Sequence, residues 1–307
     1  MSQPIELAIA PTKLESSQLT DKLSAYLALT KPRIIELLLI TTVPTMFVAS
    51  KHLPSALIIL LTVLGGALAA GGANAFNMVY DMDIDKVMKR TSKRPLVTGQ
   101  ISPKAAIVFA SSLEVSSFFL LWQTVNLLSA VLAVSATGFY VFVYTMWLKR
   151  STSQNIVIGG AAGAVPVLVG WTAITGHLSW TAVVLFLVIF LWTPPHFWAL
   201  ALKYKDDYKA ANIPMLPAVV NVKKVVFNIQ IYTVILMLVS LAIAPVGHLG
   251  PVFFVISLLL GITFCYKTFT LNKDVSEKNA MKLFGYSITY LTLLFLSMGL
   301  TAIALHP

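Results

Sequence analysis

Nine apolar stretches, each about 20 residues long and set along almost the whole chain, limit its fold more than any other feature. They cover roughly 33–51, 54–80, 104–124, 126–147, 154–175, 179–202, 224–247, 250–270 and 281–304. Each can cross the hydrocarbon core of a bilayer as a helix. Inside lipid no water satisfies the backbone, so a single apolar span must form its own hydrogen bonds. The expectation is an all-α integral membrane protein with nine transmembrane helices. Only 11% of residues are charged and 57% are hydrophobic, whereas soluble domains carry about 25% charged residues. The narrowest separation lies at "WQTVNLLS", between the third and fourth stretches.

The basic residues set the orientation. With the N-terminus in the cytoplasm, nine crossings put all but one of the 22 Lys and Arg residues on the cytoplasmic side, the exception being Lys51. This is the pattern of the positive-inside rule, and it predicts N-terminus in, C-terminus out. A miscount by one helix would scramble it. The net charge of +10 is thereby explained without nucleic acid, which is not an expected partner. Residues 1–32 read as a cytoplasmic tail with an interfacial helix around 23–29, and 33–305 as one membrane domain. The tail lacks the basic start and apolar core of a secretory signal and the Arg-rich character of a transit peptide. The expected location is therefore a bacterial inner (plasma) membrane, multi-pass. The single cysteine, Cys265, excludes an internal disulfide, a Cys-x-x-Cys-His haem attachment and a cysteine zinc cluster.

The segment "GGANAFNMVYDMDIDKVMKRTSKRP", 71–95, carries the chemistry. At 100° per residue, Asn77, Asp81 and Asp85 fall within about 80° of one helix face, with Asn74 inside the same arc and Asp83 outside it. Like charges one turn apart repel, and the penalty grows near a bilayer. A divalent cation relieves both. Mg²⁺ favours few carboxylates, retained waters and phosphate oxygens, so this face suits a Mg²⁺–diphosphate complex better than a closed metal cage. Lys89, Arg90, Lys93 and Arg94 come directly after and can grip phosphate. A basic run that only anchors topology is the plainer alternative for them. A second acidic spot, Asp206 and Asp207, comes after the sixth span. The offset of four helices hints at two four-helix halves plus a ninth helix.

Two further words stand out. "YTMWLKRSTSQN", 144–155, ends the fourth span with Lys149 and Arg150, and reads equally as a phosphate contact or a membrane anchor. "LWTPPHFWAL", 191–200, holds Pro194 and Pro195, which free helix carbonyls and are expected to kink the sixth span, and His196 roughly 10 Å inside the span. A membrane histidine suggests function, and a hydrogen-bonded packing histidine competes on equal terms. Glu36 lies three residues after Arg33 as a local pair. Glu114 lies mid-span among serines with no assigned role. His52, His177, His248 and His306 fall on the outer side as solvated residues.

Asn77-x3-Asp81-x3-Asp85 at the end of a second span, within nine spans, resembles the UbiA-type membrane prenyltransferases. The longer words "TKPRI", "NAFNMVYDMDID", "MKRTSKRPLVTG", "WTPPHFWALAL" and "DDYKAANIPMLP" are similar to those of their protohaem IX farnesyltransferase (haem O synthase) branch, over roughly 25–295. The resemblance implies transfer of a farnesyl group from farnesyl diphosphate to a vinyl group of haem B, giving haem O and diphosphate, with Mg²⁺ as cofactor. Haem B, farnesyl diphosphate and the bilayer are then the partners, with a haem A synthase as the next enzyme. It implies Asn77, Asp81 and Asp85 as catalytic metal ligands. It implies Lys89, Arg90, Arg94, Tyr144, Lys149, Arg150 and Asp207 as diphosphate contacts, and His196 as a candidate for binding haem. The superfamily often spaces two acids four apart in the second motif; here Ala210 and Ala211 stand at those places, which leaves a second Mg²⁺ in doubt. A prenyltransferase acting on a quinone or chlorophyll precursor is the alternative within the class. An ion-coupled transporter is the alternative outside it, and would place its acids nearer the midplane.

Overall fold

A computed structural model describes the backbone of residues 13–50 and 52–305, and the side chains of residues 20–32, 40–50 and 52–305. The first twelve residues, the Arg33–Glu36 pairing, Lys51 and His306 lie outside that description. Among the described residues there is no strand. The helices are α1 Lys13–Thr30, α2 Pro32–Ala49, α3 Ala56–Tyr80, α4 Met82–Val87, α5 Pro103–Thr124, α6 Leu127–Ser151, α7 Asn155–Thr175, α8 Trp180–Lys203, α9 Lys205–Ala210, α10 Leu216–Val219, α11 Val222–Val246, α12 Gly250–Lys273 and α13 Glu277–Leu305.

Eight of these (α3, α5, α6, α7, α8, α11, α12 and α13) are long and apolar enough to cross a membrane. Helix α2 fills the first apolar stretch, and its described portion Ile40–Ala49 is a shorter apolar helix. The break at "WQTVNLLS" falls between α5 and α6. Asn126 makes it: its Oδ1 accepts the Ser129 N–H at 2.8 Å as an N-cap, while its Nδ2 donates to the Thr172 carbonyl at 2.8 Å. The same side chain thus starts α6 and ties it to α7.

The long helices form a closed circuit. From α2 through α3, α5, α6, α7, α8, α11 and α12 to α13 each packs on the next, and α13 returns to α2. Helix α2 also reaches across to α7, and α13 to α8. The largest core cluster joins α7, α8, α11, α12 and α13 around Trp198, Phe253, Phe264, Tyr290 and Phe295. Outward positions such as Phe142, Val252, Phe269 and Leu300 stay exposed, as lipid-facing surfaces of a membrane helix must. Helix α8 continues unbroken through Pro194 and Pro195.

Two local features position the site. Helices α3 and α8 each run directly into a six-residue helix, α4 and α9, whose first turn holds two acids: Asp83 and Asp85, then Asp206 and Asp207. This repetition matches the four-helix offset of the acidic motifs. The second feature lies in α6, where Phe139–Leu148 is π-helical. A π turn inserts an extra residue and rotates the remainder of the helix, and such turns gather at functional sites. No proline or glycine within "FYVFVYTMWL" announces it.

Candidate active site

Asp81 sits at the joint between α3 and α4 with φ −89° and ψ 9°. The helical hydrogen-bond pattern survives the joint, because Asp81 N–H donates to Asn77 O at 3.0 Å and Asp85 N–H to Asp81 O at 2.8 Å. Asn77, Asp81 and Asp85 therefore keep one face, as the 100° geometry requires, and all three are buried, with Asp81 at 0% exposure.

Cations surround this face. Lys149, near the end of α6, pairs with Asp81 Oδ2. Arg94, nine residues beyond Asp85, donates to Asp85 Oδ2 at 2.6 Å. Arg150 forks onto Asp83 and lies 3.9 Å from Asp81 Oδ1. Lys31, in the junction between α1 and α2, donates to Asn77 Oδ1 at 2.9 Å. The Asn77 amide nitrogen donates to Asp81 Oδ2 at 2.7 Å and to Thr145 Oγ1 of the π-helical stretch at 3.2 Å. Lys149, Arg94 and Arg150 thus meet the three carboxylates while Lys31 meets the Asn77 amide, and this concentration of basic groups invites a polyanion.

The electrostatics derive from burial. Lys31 is pushed down to about 7, first by loss of hydration and then by Arg94 and Lys149 beside it, with Asp81 and Asp85 opposing. The Arg150 hydrogen bond holds Asp83 down to about 2. Burial raises the Tyr208 hydroxyl.

The donor set fits Mg²⁺ in an open site. Among the described residues no group of three or more His, Cys, Asp or Glu could form a closed cage. Asp81 Oδ1 is sealed from solvent and accepts no hydrogen bond, an acceptor that normally needs a partner. Two carboxylates and one amide, with room left for phosphate oxygens and water, suit Mg²⁺ as it binds in phosphate sites. Asn77, Asp81 and Asp85 are the residues that would hold it.

The other residues singled out by sequence are spread more widely. Tyr144 stacks on Tyr140, ring centroids 5.3 Å apart, and packs beside Ile84, Met88 and Tyr208. A Cβ on Gly159 would lie 2.3 Å from the Tyr144 ring, so only glycine lets α7 seat that tyrosine. Arg90 is in no ion pair among the described residues and lies 5.7 Å over the Tyr204 ring. Lys89 is exposed and in no ion pair among the described residues, and Asp207 is half-buried beside Tyr208. Asn74 shares the arc but turns its amide to the Thr30 carbonyl at 3.0 Å. Lys31 and Thr145 contact Asn77 and Tyr140 stacks on Tyr144, and sequence reasoning misses all three. Lys31 and Thr145 lie inside the words "TKPRI" and "YTMWLKR", where one reads as topology and the other as filler.

His196 lies deeper. Its ring is stacked between Trp192 at 4.1 Å and Phe284 at 4.6 Å. Its Nδ1 lies 2.7 Å from Ser287 Oγ, and that hydroxyl donates to the Phe284 carbonyl at 2.6 Å. A hydroxyl whose proton is spent must accept. The network therefore protonates Nδ1 and leaves a lone pair on Nε2. Glu114 packs in the wall between α3, α5 and α6, with Oε1 accepting from Thr137 Oγ1 at 3.1 Å and Oε2 without a partner.

Comparison with known proteins places the chain in a family. Residues 38–299 match the model of the UbiA prenyltransferase family. The chain belongs to the UbiA prenyltransferase family. Within it, a protein named protoheme IX farnesyltransferase from Paenarthrobacter aurescens is 51% identical over 283 residues, covering 91% of this chain and 88% of the relative. One of the same name from Frankia alni is 49% identical, covering 92% and 99%. Among solved structures, a digeranylgeranylglyceryl phosphate synthase superposes with a TM-score of 0.76 at 20% identity, over 92% of this chain and 99% of that one. A UbiA homologue from Archaeoglobus fulgidus bound to DMAPP and Mg²⁺ gives 0.70 at 17%, over 91% and 99%. At those identities the UbiA fold is what is shared. Its helices carry the two acid-bearing ends, at α4 and α9, to one region of the molecule, where Ile84 and Met88 pack with Tyr208, Ile213 and Met215.

Proposed function

We propose that this UbiA prenyltransferase transfers the farnesyl group of farnesyl diphosphate to a vinyl group of haem B, giving haem O and diphosphate. The observation that carries the reading is identity near 50% to protoheme IX farnesyltransferases across nine-tenths of the chain. The site supports it from the chemical side.

Mg²⁺, when bound at Asn77, Asp81 and Asp85, supplies charge to the departing diphosphate. The chain's own residues do the rest. Lys149, Arg94 and Arg150 lie within reach of the same carboxylates, and each can turn a donor to a phosphate oxygen. Diphosphate binding then separates cation from carboxylate and replaces each pair with a charge-assisted contact. As the C1–O bond breaks, positive charge spreads over the allylic carbons. The stacked Tyr140 and Tyr144 rings flank the site and offer π faces to that charge. The buried surroundings keep bulk water from the cation. The haem vinyl carbon forms the new C–C bond. A water adds to the resulting cation as hydroxyl and releases a proton. His196 offers haem its Nε2 lone pair, as an iron ligand or proton acceptor.

The basic loops and the acidic site lie on the cytoplasmic side in this reading, with the N-terminus in and the C-terminus out. The protein is then a multi-pass component of the bacterial inner membrane, its product passing to a haem A synthase. The test supplies purified protein with haem B, labelled farnesyl diphosphate and Mg²⁺. Farnesylated haem, found by mass, is the expected product. Its absence, alongside prenylation of a quinone precursor, would overturn the assignment.

A further inference from the structure

The α1–α2 junction places a cation in the site that the acidic and basic motifs do not account for. Lys31 has φ 52° and ψ 64°, the left-handed region, and precedes Pro32. A side chain there is strained, and a proline at the next position further restricts the backbone. Such strain persists only where the surroundings impose it, and it gathers at functional sites. Helix α3 imposes it here. Asn74 holds the Thr30 carbonyl, and a Cβ on Gly71 would stand 3.2 Å from Thr30 Cγ2. One turn further on, Asn77 Oδ1 receives the Lys31 ammonium.

The Asn77 amide cannot turn away. Its nitrogen side is held by Asp81 and Thr145, so its oxygen must face Lys31. A divalent cation taking that oxygen would meet the ammonium at contact distance, and like charges would expel it. An incoming anion removes the conflict.

We propose that Lys31 is a ligand of the prenyl diphosphate. In the free enzyme its ammonium closes the Asn77 amide oxygen, and on loading it moves to a phosphate oxygen. Metal alone then binds against Lys31, and metal with diphosphate binds with its help. This rests on the reading of Asn77, Asp81 and Asp85 as the metal–diphosphate face.

The two halves predict opposite signs for one variant. In full-length protein in nanodiscs without haem, Lys31→Met should bind farnesyl diphosphate with Mg²⁺ about tenfold more weakly, as expected for a lost charge-assisted contact. It should bind Mn²⁺ alone, monitored by electron paramagnetic resonance, severalfold more tightly. Lys31→Arg keeps the charge and should restore diphosphate affinity. A Lys31 that is only a strut for the junction would weaken both ligands together and lower Tm, and that result overturns the proposal. So does unchanged diphosphate affinity in Lys31→Met. Asp81→Asn, measured alongside, separates the levels: intact diphosphate binding there sinks the acidic-face reading itself, whereas its loss with Lys31→Met unchanged removes Lys31 alone.

Discussion

Arg150 holds Asp83 with both arms, its terminal nitrogens 2.7 and 2.8 Å from the two carboxylate oxygens. Asp83 is the acid that helical geometry places off the metal face, and it is exposed. It is nonetheless occupied. The bidentate pair fixes the guanidinium 4.9 Å over the Tyr80 ring and lets it donate to the Tyr80 carbonyl at 3.1 Å. The end of α6 is thereby clamped to the α3–α4 joint, which keeps Arg150 3.9 Å from the Asp81 oxygen that accepts no hydrogen bond.

Asp83→Asn should therefore act on affinity, not on chemistry. An exposed pair contributes little, so KM for farnesyl diphosphate should rise only a few-fold, with kcat within about twofold. The sign of the shift sets the pH dependence. Asp83 is depressed to about 2 from 3.8, so the pair's stabilisation is complete above 3.8 and is lost as pH falls towards 2. The Tm difference between wild type and Asp83→Asn should stay flat from about pH 5 to 8. A difference that changes within that range contradicts the assignment.

Asp81 should behave differently. It is fully buried with Lys149 as its partner, and removing one member of a buried pair costs about 3–5 kcal/mol because the other is stranded. Asp81→Ala should lower Tm and abolish haem farnesylation. Adding Lys149→Met removes the stranded charge and should recover much of the Tm, while activity stays at least about a hundredfold down. Recovery of activity together with Tm would reduce Asp81 to a structural ion-pair partner.

The membrane helices are legible in the sequence because about 20 apolar residues have few other fates, and because Asn126 and Gly176 mark helix ends in residue types made for capping. The acidic face is legible because a 100° rotation carries Asn77, Asp81 and Asp85 through a joint that preserves its hydrogen bonds. Lys31 is not, since its contact with Asn77 spans 46 residues and a lone lysine before an apolar helix reads as topology. Thr145 and Tyr140 are hidden by the π-helical stretch, whose rotation has no sequence marker. Asn74 shows the converse failure: the right face, but a partner in another helix.

Gly159→Ala tests the tyrosine pair without touching charge. The new methyl would meet the Tyr144 ring at 2.3 Å, so ring or helix must shift, at a cost of about 1–3 kcal/mol for overpacking. Diphosphate affinity rests on the cations and should hold within about threefold. The rate of C1–O ionisation should fall by about tenfold or more, if displaced π faces no longer meet the developing charge. Single-turnover kinetics with bound farnesyl diphosphate separates the two. Loss of affinity with an unchanged single-turnover rate would place Tyr144 in binding alone.

His196 poses the sharpest choice between packing and function, because its surroundings look like packing. Trp192 and Phe284 cover both ring faces, Phe197 meets its edge at 5.8 Å, and Ser287 takes Nδ1. Only the Nε2 edge is left, and the Ser287 network leaves a lone pair there. His196→Phe preserves the stack and removes that lone pair, so a packing role predicts little beyond a Tm lower by a few degrees. A role towards haem predicts more: farnesyl diphosphate affinity within about twofold, and haem affinity, from Soret titration, at least about tenfold weaker. Ser287→Ala leaves the ring free to adopt the other tautomer and should weaken haem binding in the same direction but less. Haem affinity unchanged in both variants would make His196 a packing residue and move the search for haem-orienting groups elsewhere in the bundle.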